Sequence, residues 1–281
     1  MPEHVTDQGR DETRELATRI ASAIVLVAVT LAVTGSGVVP FACLVSGVGL
    51  LLIWEWGRLV RGPVIDGQLV LAGVGVLTAI GLTAGQMPGA ALGVVLAATI
   101  GLAVWCPNRQ GRVSALGVLY AGLPSVALVW LRGGATHGLE AIVFVLLVVW
   151  TTDTGAFFAG RSIGGPRLWV AVSPRKTWSG FLGGILAASV VGWLYVQWVG
   201  GIEPMRTAAL AAALATTSQA GDLFESAMKR AYGVKDSSGL IPGHGGFMDR
   251  VDGLVFAAVA AALYALVVNP TTPAATLLGI K

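Results

Sequence analysis

Long apolar runs separated by short polar segments extend from residue 16 to residue 268, and they constrain this chain more than any other feature. Of its 281 residues, 55% are hydrophobic and only 12% are charged, whereas about 25% of residues are charged in typical soluble domains. A bilayer core about 30 Å thick needs roughly 20 helical residues to cross it. The sequence therefore predicts an all-α, polytopic integral membrane protein.

The apolar runs predict about nine transmembrane helices. Residues 1–15 are rich in acids, unlike the basic start of a cleaved signal peptide, so we expect the first run to be an uncleaved anchor. The short connections predict a single integral domain over residues 16–281. The expected spans are Leu16–Thr34, Val38–Gly57, Leu69–Ala84, Pro88–Cys106, Ala115–Leu131, Leu139–Gly160, Trp178–Val199, Ala208–Ala231 and Val251–Val268.

Basic residues are divided unequally between the two sides that nine spans create. Of the 18 lysines and arginines, one side receives all except Arg132, Arg206 and Lys281. Cytoplasmic loops accumulate basic residues, so this division predicts that residues 1–15 are cytoplasmic. The basic residues are spread among short loops, which argues against nucleic acid as a partner. The 2 cysteines lie in apolar runs and support neither a disulfide framework nor a cysteine-rich zinc site.

Charge concentrates around the connection between the eighth and ninth predicted helices. On the eighth, Asp222, Glu225 and Lys229 share a helical face with Ser226. Asp249 and Asp252 share a face at the start of the ninth. Because an acid at a helix centre costs roughly 2.5 to 3.5 kcal/mol, such acids predict a cavity, ionic partners or a bound cation. Mg²⁺ suits two helices that each supply an aspartate, and a structural network with Lys229 is the alternative.

The loop between these helices is rich in glycine. It contains Gly239, Gly243, Gly245 and Gly246, together with Pro242 and His244. Glycines let backbone N–H groups approach a phosphate closely, although a sharp turn uses similar residues. The surrounding cations favour polyphosphate binding; they are Lys229, Arg230, Lys235 and Arg250.

A second polar cluster, SPRKTWSG, runs from Ser173 to Gly180 before the seventh predicted helix. Ser173 and Lys176 in this cluster are candidates for contact with a phosphate or a lipid headgroup. The alternative is an ordinary positive flank beside an interfacial Trp178. Asp153 either adds an acid to the same cavity or pairs with Arg161.

The segment from Ser226 to Asp252 resembles the signature of the phosphatidate cytidylyltransferase family, also called CDP-diacylglycerol synthases. The cluster SPRKTWSG resembles the second recurrent stretch of that family, in which an acid more often follows the tryptophan, and here Ser179 occupies that place. The first five spans match only in being hydrophobic. The residues that carry the resemblance are Ser226, Met228, Lys229, Arg230, Lys235, Asp236, Ser238, Ile241, Pro242, His244, Gly245, Gly246, Phe247, Asp249, Arg250, Val251 and Asp252.

The resemblance implies an enzyme that makes CDP-diacylglycerol and pyrophosphate from CTP and phosphatidic acid with Mg²⁺, as one cation or a pair. It implies that Asp222 and Asp249 hold metal. We expect Glu225 and Asp252 either to be further ligands or to contact the ligands, and Asp153 is a further candidate ligand.

The other polar residues divide between charge neutralisation and substrate binding. We expect Lys229, Lys235 and Arg250 to offset charge on the reacting phosphates. Ser173, Lys176 and Arg230 are candidates for substrate binding, as are the Gly245 and Gly246 backbones. The His244 imidazole either donates to a phosphate or is structural.

We expect the catalytic part to occupy about residues 150–268 and to face the cytoplasm from the plasma membrane. The lipid bilayer is then a partner, and helix faces of small residues predict a homodimer. Two alternatives remain: a membrane transporter, or a CTP-dependent enzyme acting on another lipid acceptor. Charges that cluster at one membrane face argue against the transporter.

Overall fold

Eight long helices, each of 18 to 28 residues, make up most of the part of the chain that the structure describes. This computed structural model describes residues 25, 27–134, 136–240 and 245–280. Residues 27–35 are also helical. The long helices are α1 (Val38–Arg61), α2 (Gly67–Ala84), α3 (Pro88–Trp105), α4 (Arg109–Arg132), α5 (Gly138–Ile163), α6 (Trp178–Trp198), α7 (Pro204–Ala231) and α8 (Met248–Val268).

Seven of the described helices are long and apolar enough to cross a membrane, which agrees with a polytopic membrane protein. The exception among the long helices is α7, whose second half carries the polar stripe that lowers its hydropathy. The first expected span, Leu16–Thr34, lies mostly outside the described residues. Helices suit this environment because each one satisfies its own backbone hydrogen bonds where no water is present.

The helices form two groups. Helices α1 to α4 pack against one another, and α5 to α8 pack in chain order, α5 against α6, α6 against α7 and α7 against α8. Helix α4 joins the groups by packing against both α5 and α8. The α5 and α6 backbones come close because small residues face each other. A Cβ on Gly184 would lie 2.7 Å from the Thr152 carbonyl oxygen, and one on Gly155 would lie 2.6 Å from the Ala187 Cβ.

Several helices begin earlier than the apolar runs indicate, and in α2 and α4 a polar side chain caps the added turn. The Asn108 side chain accepts a hydrogen bond from the Gly111 N–H at 2.7 Å, so α4 begins at Arg109 and not at Ala115. Helix α8 begins at Met248 and not at Val251. Asp249 therefore lies in the first turn of α8, where the exposed backbone N–H groups favour a negative charge.

The all-α prediction misses a small antiparallel hairpin between α5 and α6. Its strands are β1 (Arg167–Trp169) and β2 (Ser173–Thr177), with Arg167 opposite Thr177 and Trp169 opposite Ser173. Thr177 ends β2 and also caps α6, because its hydroxyl accepts the Gly180 N–H at 3.1 Å. A short helix that was not predicted, α9 (Pro273–Leu278), follows α8 and packs against α5 and α8.

Candidate active site

The polar stripe of α7 forms as its spacing predicts. The Ser226 hydroxyl donates to Asp222 at 3.4 Å, and the Lys229 Nζ lies 2.6 Å from a Glu225 carboxylate oxygen one turn away. The Glu225 side chain is only 1% exposed. A charge this deeply buried needs a partner, and Lys229 provides it.

Lys229 also joins α7 to α8. Its ammonium group donates to an Asp249 carboxylate oxygen in the first turn of α8, and the Asp249 side chain is 10% exposed. Lys229 therefore sits between two buried carboxylates from different helices. The prediction that the connecting loop brings the two acidic faces together is confirmed for Glu225 and Asp249.

The other oxygen of Asp249 organises the connecting loop. Its Oδ2 accepts hydrogen bonds from the Gly246 N–H at 2.8 Å and from the Ser237 N–H at 3.2 Å, and it lies 3.1 Å from the Ser237 hydroxyl oxygen. Gly245 has a φ of 79°, which favours glycine. In this arrangement the Gly246 N–H is engaged by Asp249. His244 lies outside the described residues.

Asp222 faces a different lysine. Its Oδ2 lies 2.5 Å from Lys176 Nζ in β2, an ion contact between the hairpin and α7. The Lys176 ammonium is buried, and its three N–H groups exceed what this one carboxylate oxygen accepts. The contact is thus a close charge pair whose ammonium retains capacity to donate.

Lys176 and Asp222 line a cavity of about 550 Å³ between α5, the hairpin, α6 and α7. Its apolar wall includes Phe157 and Phe181. The charged side chains around it are mostly basic, as an anionic ligand requires. They are Asp153, Arg161, Arg167, Arg175, Lys176 and Asp222.

Asp153 belongs to this cavity. Of the two alternatives for this residue, the structure favours the cavity, because the ion pairs between described residues do not include Asp153 with Arg161. The Arg161 guanidinium instead lies 6.0 Å from the centre of the Phe157 ring. Ser173 lies opposite Trp169 in the hairpin, apart from the residues that line the cavity.

The remaining candidate basic residues lie at the surface at the end of α7, in the connecting loop and in α8, whereas Asp252 does not. Arg230 and Lys235 are exposed, and the Arg230 guanidinium donates to the Val234 carbonyl oxygen at 3.3 Å. Arg250 is also exposed. Asp252 is half-buried, accepts the Gly253 N–H at 2.8 Å and lies within electrostatic range of Asp222.

The candidate metal ligands are carboxylates from three helices. Asp153 comes from α5, Asp222 and Glu225 from α7, and Asp249 and Asp252 from α8. Among the described residues, no three His, Cys, Asp or Glu side chains are arranged as a ready-made ligand set. Asp222 and Asp249 each contact a lysine ammonium, which occupies the kind of position that a bound cation takes.

Glu55, a fully buried acid in α1, is a site residue that the sequence motifs do not predict. Its carboxylate accepts hydrogen bonds from the Ser237 and Ser238 hydroxyls and from the Phe247 and Met248 N–H groups, all in or beside the connecting loop. One signal could have found it. Glu55 is the one acid in the span Val38–Gly57, and an isolated acid in such a span usually has a partner.

Comparison with known proteins places most of this chain in a single family. The sequence model of the cytidylyltransferase family matches residues 17–268. The chain is 39% identical over 274 residues to the phosphatidate cytidylyltransferase of Brucella suis, covering 92% of this chain and 97% of the relative. It is 33% identical to the enzyme of that name from Haemophilus influenzae, covering 86% of this chain and 96% of the relative. A match to the Bacillus subtilis phosphatidate cytidylyltransferase is 40% identical over 50% of this chain.

Proposed function

The chain belongs to the cytidylyltransferase family, and on that premise we propose that it transfers the cytidylyl group of CTP to phosphatidic acid. The products are CDP-diacylglycerol and pyrophosphate, so the enzyme serves phospholipid synthesis. The Brucella suis and Haemophilus influenzae relatives, which this chain matches over almost their whole length, are both named phosphatidate cytidylyltransferase. The single structural observation that carries the proposal is the cavity walled by basic residues, with the Lys176–Asp222 pair on its wall.

The cavity suits an anionic, phosphate-bearing ligand. Its volume of about 550 Å³ lies within the range of sites for small molecules. Arginine and lysine side chains recognise phosphate oxygens by charge and by directed N–H groups, and Arg161, Arg167, Arg175 and Lys176 are all available on its wall. The phosphatidic acid reaches this site from the side, because its acyl chains remain in the bilayer while CTP arrives from water.

The reaction needs positioning and charge neutralisation more than a strong base. A phosphate oxygen of phosphatidic acid attacks the α-phosphorus of CTP, the new P–O bond forms, and the bond to the departing pyrophosphate breaks. A phosphate monoester already carries a nucleophilic oxygen near neutral pH, so orienting it and stabilising the transferring group supply most of the acceleration. We assign charge neutralisation to Lys229, Lys235 and Arg250.

The carboxylates fit Mg²⁺. This ion is typically held by one or two carboxylates together with substrate phosphate oxygens and water, and Asp222 and Asp249 supply that number from adjacent helices. Glu225, Asp252 and Asp153 are further candidates, in particular for a second cation. When bound, Mg²⁺ would neutralise charge on the phosphates of CTP.

The two lysine contacts suggest how the protein prepares for its substrates. Lys176 and Lys229 compensate the carboxylates in this structure, and we propose that both turn towards phosphate oxygens when the nucleotide binds. Lys176 already has donor capacity to spare. Ser173, Arg230, His244 and the Gly245 and Gly246 backbones are the other candidates for substrate contact.

The proposal includes the membrane topology. We propose about nine spans, cytoplasmic residues 1–15, and an active site on the cytoplasmic side of the plasma membrane, because the basic residues gather on that side. The catalytic part spans about residues 150–268 of the single domain 16–281. We also propose a homodimer, on the basis of helix faces rich in small residues.

The decisive experiment offers the purified protein α-labelled CTP, Mg²⁺ and a panel of lipids in mixed micelles. Label transferred to phosphatidic acid, with release of pyrophosphate, supports the proposal. Transfer only to another lipid would identify a different acceptor. CTP uptake into liposomes without transfer would instead indicate a transporter.

A further inference from the structure

Glu55 links the first group of helices to the connecting loop through four hydrogen bonds. Its Oε1 accepts from the Ser238 hydroxyl at 2.5 Å and from the Phe247 N–H at 2.8 Å. Its Oε2 accepts from the Ser237 hydroxyl at 3.0 Å and from the Met248 N–H at 2.5 Å. A carboxylate has about four lone-pair sites, so these donors use nearly its whole accepting capacity.

The position of Glu55 replaces a missing helix cap. Phe247 is the N-cap residue of α8 and its side chain makes no capping hydrogen bond. The first N–H groups of a helix have no acceptor within it and carry partial positive charge. Glu55 supplies that acceptor from a different helix, which explains why a 0% exposed carboxylate is tolerated in α1.

Neighbouring residues fix the position of α1. The Trp56 indole N–H donates to the Val113 carbonyl oxygen at 2.8 Å, and its ring lies 5.0 Å from the Tyr120 ring in α4. The same indole stacks 6.3 Å from Phe224 in α7. Through this one ring contact, α1 also reaches the helix that carries Asp222 and Glu225.

A single side chain connects Glu55 to Asp249. The Ser237 hydroxyl lies 3.0 Å from Glu55 Oε2 and 3.1 Å from Asp249 Oδ2. Gly246 completes this contact, because a Cβ at that position would lie 2.8 Å from Glu55 Oε1 and would collide with the Ser237 hydroxyl. Movement of Glu55 would thus displace the residues that hold Asp249.

Resting on the proposed function, we propose that Glu55 is a positioning residue for cytidylyl transfer. It holds Ser237, Ser238 and the first turn of α8 so that the Asp249 carboxylate is presented to the substrates. This assigns a role in the reaction to α1, a helix outside the signature segment. Glu55 acts through Asp249 and touches no reacting atom.

The test compares Glu55→Gln with the unchanged protein in the same detergent. Glutamine keeps the length of the side chain, but its amide nitrogen cannot accept, so two of the four donors lose their acceptor. We expect the variant to fold, with amide hydrogen exchange in residues 245–250 faster by about tenfold or more. We expect kcat to fall on the order of 10- to 100-fold, while KM for phosphatidic acid changes less than about threefold.

Glu203→Gln is the matched control. Glu203 lies at the opposite end of α7, where its carboxylate is 2.6 Å from Arg206 at the surface. Glu203→Gln also removes a carboxylate, but it should leave the amide hydrogen exchange of residues 245–250 and the kcat unchanged. Glu55→Asp, which retains both oxygens on a shorter side chain, should recover part of the lost kcat.

Exchange distinguishes a positioning role from a merely structural one. In Glu55→Gln, normal exchange in residues 245–250 or an unchanged kcat would overturn the proposal. A lower melting temperature with an unchanged kcat per folded molecule would also overturn it.

If Glu55→Gln does not fold, Ser238→Ala is tested in its place. An unchanged kcat together with unchanged exchange in that variant would overturn the proposal. Hydrogen exchange does not depend on the acceptor lipid. If the protein without substitutions transfers no cytidylyl group to phosphatidic acid, the proposed function is refuted, and the exchange comparison still tests the role of Glu55.

Discussion

The Lys176 ammonium lies 2.5 Å from the Asp222 carboxylate and so joins the hairpin to α7 at the wall of the cavity. The Asp222 side chain is 36% exposed, whereas the Lys176 side chain is 24% exposed and its ammonium group is buried against the carboxylate. The contact pairs the two opposite charges on the cavity wall, and on the proposed function Lys176 would turn from Asp222 to a phosphate oxygen of the nucleotide.

Replacement of Lys176 with methionine should preserve the fold and remove most activity. The substitution keeps the apolar stem and deletes the charge, so kcat/KM for CTP should fall about 100-fold or more. Steady-state assays at varied CTP concentration measure this loss. Arg112→Met is the control, because Arg112 is exposed and lies outside the cavity lining. Equal effects of the two substitutions would contradict the role of Lys176.

Asp222→Asn and Asp249→Asn should each fold and lose CDP-diacylglycerol formation by about two orders of magnitude or more, because an amide is a poor ligand for Mg²⁺. Removing Mg²⁺ with a chelator should abolish turnover of the unchanged protein. Asp66→Asn serves as a control, since Asp66 caps α2, pairs with Arg61 and does not line the cavity. Near-normal turnover in either variant would refute its role as a ligand.

Replacement of Lys229 with methionine should destabilise the protein by about 3–5 kcal/mol, because it leaves two buried carboxylates without their shared cation. Unfolding equilibria in detergent measure this change. The double variant Lys229→Met with Glu225→Gln should recover part of the stability, since only one buried charge then lacks a partner. No recovery in the double variant would argue against Glu225 as the main source of the cost.

Gly246→Ala should reduce both stability and activity, because the added methyl group has no space between Ser237 and Glu55. Overpacking of this kind typically costs about 1–3 kcal/mol. Gly239→Ala in the same loop is the matched control, as a Cβ there meets nothing within 4 Å. The melting temperature and kcat should both be lower in Gly246→Ala than in Gly239→Ala. If they behave alike, the space around Gly246 does not limit the fold.

Much of the site could be predicted because its parts are close in sequence. The spacing of Asp222, Glu225 and Lys229 places them on one helical face whatever the rest of the chain does. The signature segment likewise identified the family, which the match over residues 17–268 confirms. The hairpin was missed because its strands, of 3 and 5 residues, are too short to show a clear alternation of apolar residues.

By itself, the sequence determined the helical, polytopic membrane class and the family. Both depend on local properties, namely the length of apolar runs and the order of polar residues within a short segment. Only the tertiary structure decided which lysine compensates which acid and where the cavity lies. It also brought Glu55 to Met248, residues that are 193 positions apart. Such contacts depend on how separate helices pack, and that packing is set by the shapes of all the facing side chains together.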